Sequence, residues 1–189
     1  MPGQRAADAK VRIPSVPIRV RHRVLFVGGH GAHQERLALA MLGRSGTMVY
    51  HPDVRPATRG LRSATVVPSG WGSGRLEVIE APALDWVMGR CNVDSHAYEM
   101  VASVVAEHAS STTVVFCVNG ADNLHGVRPN QFLDALQASV RRTVRGVVAV
   151  TGCTLALSTL CDLALTGSRP IVMGALGADP GVILHAAGL

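Results

Sequence analysis

The sequence predicts an α/β fold: about six strands in a mostly parallel sheet with one antiparallel edge strand, and helices on both faces. Three observations carry this expectation. Apolar, strand-like runs alternate with helical patterns along the chain, as parallel strands joined by crossover helices require. Thr112–Asn119 (TTVVFCVN) is rich in apolar and β-branched residues, the pattern of a central strand buried on both faces. Arg23–Leu42 (RVLFVGGHGAHQERLALAML) reads as a strand, a tight glycine turn and a helix.

Taken in order, Val24–Gly28 is the first strand. A helix follows from about His33 to Leu42; Leu37, Ala40 and Met41 recur at helical spacing, and Gly43 can end it. Residues 44–75 are rich in Gly, Pro, Ser and Arg. Within them Leu61–Val67 reads as an edge strand, joined through the turn chemistry of Pro68–Gly74 to a strand at Arg75–Glu80. The next helix runs from Asp94 or Ser95 to His108, with Asp94 as its cap. Pro129–Arg142 is a helix whose proline sits in the first turn, where a missing N–H costs nothing. Gly146–Thr151 is a second buried strand, Thr154–Thr166 a helix and Pro170–Ala175 a last strand. Asp179-Pro180 caps a short final helix.

Charge divides the chain in two. Residues 1–23 hold Arg5, Lys10, Arg12, Arg19, Arg21 and Arg23 against Asp8 alone, which accounts for the whole net charge of +5. Residues 1–22 therefore read as a basic, flexible arm broken by Pro14 and Pro17. Such an arm is usually solvated, with weak contact to nucleic acid or an acidic partner as the alternative. It has no apolar core of the secretory kind, and its prolines spoil the amphipathic helix of a transit peptide. Residues 23–189 read as one domain, long enough to bury a core without disulfides or metals. The longest uncharged run, Gly146–Cys161, falls short of the about 20 residues that a membrane helix needs. Cys91, Cys117, Cys153 and Cys161 form no C-x-x-C pair and read as reduced thiols of the cytosol or nucleus.

The glycine turn invites comparison with the phosphate loop G-x-x-x-x-G-K-[ST], whose lysine meets the terminal phosphates and whose hydroxyl holds magnesium. Started at Gly28, the pattern passes Gly31 and lands on His33, Gln34 and Glu35. A neutral amide thus takes the lysine position and a carboxylate the hydroxyl position. The chain has one lysine, Lys10, and it lies upstream in the arm. A second motif of such domains, D-x-x-G, falls on Glu80, Pro82 and Ala83, with alanine in place of the glycine that lets a backbone N–H meet the γ-phosphate. The base-reading motif N-K-x-D falls on Thr151-Gly152-Cys153-Thr154, without carboxylate or lysine. The order of elements is that of a Ras-like GTPase domain, a P-loop NTPase fold, with its three nucleotide motifs degenerate. No cofactor and no metal are expected.

Other readings stand beside this one. Gly28–Gly31 is also what any tight strand-to-helix turn needs. A dinucleotide site, G-x-G-x-x-G, would use Gly29 and Gly31 but lose its third glycine to Gln34, with Asp53 at the spacing of a ribose contact. A cysteine hydrolase would pair His30 with Cys153, yet no local signature surrounds either. The eight histidines show no metal-ligand spacing, and His30 and His33 read as solvent-facing.

With Val27, Gly28 and Gln34, the run Val115–Asn119 (V-F-C-V-N), Thr151-Gly152 and the proline-initiated strand Pro170–Leu176, residues 23–189 resemble the centromere protein M family. The chain departs from it in a longer middle section, 51–100, and in lacking a long final helix. The resemblance implies a pseudo-GTPase without catalysis, a scaffold of the inner kinetochore in the nucleus that holds helical-repeat or coiled-coil protein subunits. A cytoplasmic pseudo-GTPase adaptor of vesicle or ciliary trafficking is the alternative. Trp71 and Trp86 are candidate partner contacts, since aromatics on turns are costly to expose, although packing over a sheet edge serves them equally. Arg141, Arg142 and Arg145 suit an acidic partner, or simply a solvated helix end.

Overall fold

The computed structural model describes residues 20–43, 49–50, 60–66, 74–87, 90–119, 127–152, 155, 157–165, 169–175, 177 and 179–189. Its elements run β1 (Val20–Gly28), α1 (Gln34–Leu42), β2 (Val49–Tyr50), β3 (Arg62–Val66), β4 (Arg75–Glu80), β5 (Trp86–Val87), β6 (Arg90–Cys91), α2 (His96–His108), β7 (Thr112–Val118), α3 (Pro129–Val140), β8 (Arg145–Val150), α4 (Leu157–Leu165), β9 (Ile171–Val172) and α5 (Pro180–Ala186). The main sheet has seven strands in the order β2-β3-β4-β1-β7-β8-β9. β1 pairs in parallel with β4 and β7, β8 continues beyond β7, and β9 beyond β8. Only β3 runs against its neighbours, β2 and β4. The antiparallel strand expected at the edge is thus flanked by one further two-residue strand, and the sheet is one strand wider than expected.

The apolar runs explain the centre. All seven residues of β7 are buried, as are Val24–Gly28 of β1 and Gly146–Val150 of β8. Alternate side chains feed two cores. Val24, Phe26, Val78, Val115 and Val147 pack beneath α1 and α5, through Leu37, Ala38, Met41 and Ile183. Leu25, Val27, Ile79, Phe116 and Val148 pack beneath α2, α3 and α4, through Val101, Val105, Phe132, Leu133, Leu136 and Leu163. Helices therefore cover both faces. Among the described residues no helix is long and apolar enough to cross a membrane.

Boundaries moved for identifiable reasons. β1 begins at Val20, so Val20, Arg21 and His22, placed with the arm by their charge, belong to the sheet; parallel pairing extends to Val20 opposite Arg75. The rest of the arm lies outside the described residues. The cap of α2 is Ser95, whose hydroxyl accepts the Tyr98 N–H at 3.3 Å. Asp94, the expected cap, has its own N–H bound by Asn92 Oδ1 and belongs to the preceding turn. α3 stops at Val140 because Arg141 turns left-handed, at φ 52°. The small β5–β6 hairpin went unread because each strand has only two residues. Its flanks and the rest of the 51–100 section are described only in part.

The start of α3 has no side-chain cap of its own. Asp162 on α4 supplies one across the core, accepting the Asn130 N–H at 2.8 Å, while Asn130 Nδ2 returns a bond to the Asp162 carbonyl at 3.0 Å. Arg169 completes the group with bonds to Asn130 Oδ1 and Asp134 Oδ1, at 3.2 and 2.6 Å.

His22 is buried, and its Nε2 lies 3.0 Å from the Thr113 hydroxyl. Burial first, then the positive charges of Arg145 and Arg23, bring its pKa from 6.5 down to about 4. Between those values the unfolded chain takes up a proton that the folded chain refuses, so stability falls as pH drops through that window. The full effect is up to about 3 kcal/mol. His22→Gln should remove this part of the slope. In urea unfolding the variant is expected to gain on the wild type as pH falls from 7 to 4.5, and a constant gap would refute the assignment.

Candidate functional site

The strands β1, β7 and β8 end together, and the β1–α1 loop crosses their C-terminal ends. This is where open parallel sheets carry ligands. Gly28 closes β1 against β7: a Cβ there would lie 2.7 Å from Ala32 Cβ and 2.9 Å from the Cys117 carbonyl oxygen. Gly31 has φ 75°, and His33, without the freedom of glycine, has φ 59°. The loop is stitched down by its own carbonyls. Asn119 Nδ2 donates to Gly31 O at 2.9 Å, and the Thr151 hydroxyl lies 3.3 Å from Ala32 O and 3.1 Å from Val118 O. The Leu84 N–H donates to Gly28 O at 2.8 Å, which holds the segment after β4 alongside the loop.

Several residues singled out from sequence meet here. His33 precedes α1; Gln34, at the lysine position, is buried, and Glu35 lies in the first helical turn, 54% exposed at its side chain. Glu80 ends β4 with a side chain 9% exposed; Pro82 and Ala83 follow it, half-buried. Burial raises the Glu80 carboxyl above the usual range, and the hydrogen bond from Arg62 opposes that shift. Arg62 on β3 is ion-paired to Glu80 through Nη2 and reaches Glu35 Oε1 through Nη1 at 3.1 Å. Thr151 ends β8 and touches the loop; Cys153, Thr154, Asp53 and Trp71 lie outside the described residues.

Trp86 is half-buried against the core. Its ring stacks edge-on against Phe116, centroids 5.6 Å apart, and lies 6.1 Å from Phe132. It also sits under the loop, with Cδ1 only 2.9 Å from where a Gly29 side chain would begin. Its indole N–H is buried without a hydrogen-bond partner among the described residues. Arg141, Arg142 and Arg145 are exposed at the opposite end of the strands from the loop, Arg145 bonding the Ala187 carbonyl at 3.2 Å. Cys91 and Cys117 offer little nucleophilic character: burial lifts the Cys91 thiol to about 12 and Cys117 further still. Among the described residues no three His, Cys, Asp or Glu side chains are grouped to hold a metal ion.

Sequence reading missed Asn119 and Arg62. Asn119 carried a signal, as the one polar residue ending an apolar β-run. Arg62 carried none, because only the pairing of β3 with β4 places it opposite Glu80.

Gly28→Val should cost about 1–3 kcal/mol in urea unfolding, because backbone as well as side chain would have to yield. His30→Ala, on the exposed crest of the same loop, should stay within about 0.5 kcal/mol. Equal effects at the two positions would contradict the close approach.

No protein-family model and no curated protein matches the sequence. Solved structures do resemble it. The G domain of the T. maritima FeoB iron transporter superposes with a TM-score of 0.56 at 14% identity, covering 88% of this chain and 96% of that one. A putative nucleolar GTP-binding protein 1 from Plasmodium falciparum gives 0.52 at 12% identity, covering 93% and 88%. The longer cytosolic domain of the same T. maritima transporter, in a GDP form, gives 0.51 at 14% identity, with 91% of this chain and 63% of that one covered. At such identities the likeness concerns the fold alone. The chain has a GTPase-like P-loop fold.

Proposed function

We propose that this chain is a pseudo-GTPase, a GTPase-like domain without catalysis that serves as a protein-interaction scaffold. One observation carries the reading: the phosphate-loop positions of lysine and magnesium hydroxyl hold a buried Gln34 and a Glu35 carboxylate. A carboxylate in the first turn of α1 takes the favourable end of the helix dipole for itself and repels a phosphate that would seek it. Ala83 and Thr151, at the second and third motifs, support the same reading. These residues do not suit a magnesium nucleotide, because phosphoryl transfer is almost wholly positioning and charge stabilisation. The resemblance to the centromere protein M family extends the proposal to a structural subunit of the inner kinetochore in the nucleus, contacting helical-repeat or coiled-coil subunits. Affinity purification should then recover kinetochore proteins, and their absence would count against that placement.

Excess GTP or GDP with Mg²⁺ should leave thermal unfolding unchanged, whereas a ligand at 100 times its dissociation constant adds about 2.7 kcal/mol. A clear shift would overturn the reading. The double change Gln34→Lys and Glu35→Ser should fail to produce GTP hydrolysis, since Ala83 and Thr151 remain. Losing the exposed Glu35–Arg62 contact should cost under about 1 kcal/mol. Turnover from these two changes would show that the site is only lightly disabled.

A further inference from the structure

Arg62 opens β3, and antiparallel pairing sets it directly opposite Glu80, the last residue of β4. Its Nη2 meets Glu80 Oε2, and its Nη1 lies 3.1 Å from Glu35 Oε1. One planar guanidinium thus joins two carboxylates from different elements, the first turn of α1 and the end of β4. Each carboxylate stands at a position with a defined task in a loaded phosphate loop. Glu35 is where a serine or threonine hydroxyl holds magnesium, and Glu80 is where a second acid helps to hold the same ion.

Glu80 is largely removed from water, where an uncompensated charge is expensive, and the half-exposed Glu35 adds a like charge that disfavours its ionisation. A divalent ion between them would meet both. A forked guanidinium also serves two acceptors at once and never gives up its proton, with one positive charge set against their two negative ones.

We propose that the Arg62 guanidinium is the resident cation of this site, standing between Glu35 and Glu80 where magnesium stands in a nucleotide-loaded loop. The chain thereby closes the metal position with its own side chain. The inference rests on the pseudo-GTPase reading and deepens it: the metal position is filled by a cation of the chain itself, beyond lacking the residues that hold a nucleotide. It also ties β3, which runs against the rest of the sheet, to the loop end of α1.

The test compares the full-length chain with Arg62→Met by thermal unfolding and by calorimetric titration with Mn²⁺, a cation that carboxylate oxygens accept. The wild type should ignore Mn²⁺. Arg62→Met should melt lower in metal-free buffer, then regain much of the loss at about 1 mM Mn²⁺, with measurable binding. Adding Glu80→Gln to that variant should abolish the response to the ion. The proposal fails if Arg62→Met melts like the wild type, if Mn²⁺ neither binds nor restores it, or if the wild type takes up Mn²⁺ equally well. If Arg62→Met does not fold alone, refolding with and without Mn²⁺ decides: a native circular dichroism spectrum only with the ion supports the proposal, and none in either case overturns it. A melting shift of the wild type with GTP and Mg²⁺ would instead sink the pseudo-GTPase reading. A wild type inert to nucleotide beside an Arg62→Met variant blind to Mn²⁺ would sink this inference alone.

Discussion

The close approach of β1 to β7 at Gly28 governs the whole loop end of the molecule. β1 is the central strand, with three strands on either side; it pairs with β4 over Val20–Phe26 and with β7 over Arg23–Gly28, which leaves its last residue little room to lean away. With the Cys117 carbonyl 2.9 Å from where a side chain would begin, a glycine is the only residue that lets the chain leave the sheet there. Once the exit is fixed, the carbonyls of Gly28, Gly31 and Ala32 come within reach of Leu84, Asn119 and Thr151. Three strand ends are tied to one loop.

Buried carboxylates raise a second constraint, met in two ways. Asp162 lies in the core and is satisfied by the backbone of a different helix, whose uncapped first turn needs an acceptor as much as the acid needs donors. Glu80 is ion-paired across strands to Arg62, and Glu77 to Arg23 at 2.8 Å, each partner set opposite by strand register. Burial raises both Glu80 and Asp162, and their donors hold that rise in check. Acids in this fold are tolerated where pairing or a helix end brings a donor to them.

What was legible in the sequence follows from what is local. β7 and β8 declare themselves because strands covered on both faces must be apolar throughout, and α3 because Pro129 marks a first turn. The start of β1 was hidden by charge: Arg21 and His22 look like a solvated arm until parallel pairing with β4 draws them in. The cap of α2 falls one residue later than expected because Asp94 and Ser95 are equally good caps, and only the bond that the Asp94 N–H donates to Asn92 Oδ1 and the one Ser95 accepts from Tyr98 decide between them. At the site, the glycine loop could be read by alignment with a pattern. Arg62 could not, since its partners lie 27 residues before it and at the far end of a strand pair.

Among the described residues, the outermost strands of the main sheet, β2 and β9, are two residues long each. Short edge strands are one device that blunts strand addition and the aggregation that follows from it. A binding surface on such a sheet would be written in side chains on helical faces and loops. Specificity would rest on which residues occupy those surfaces, and sequence could drift there without disturbing the hydrogen-bonded frame beneath.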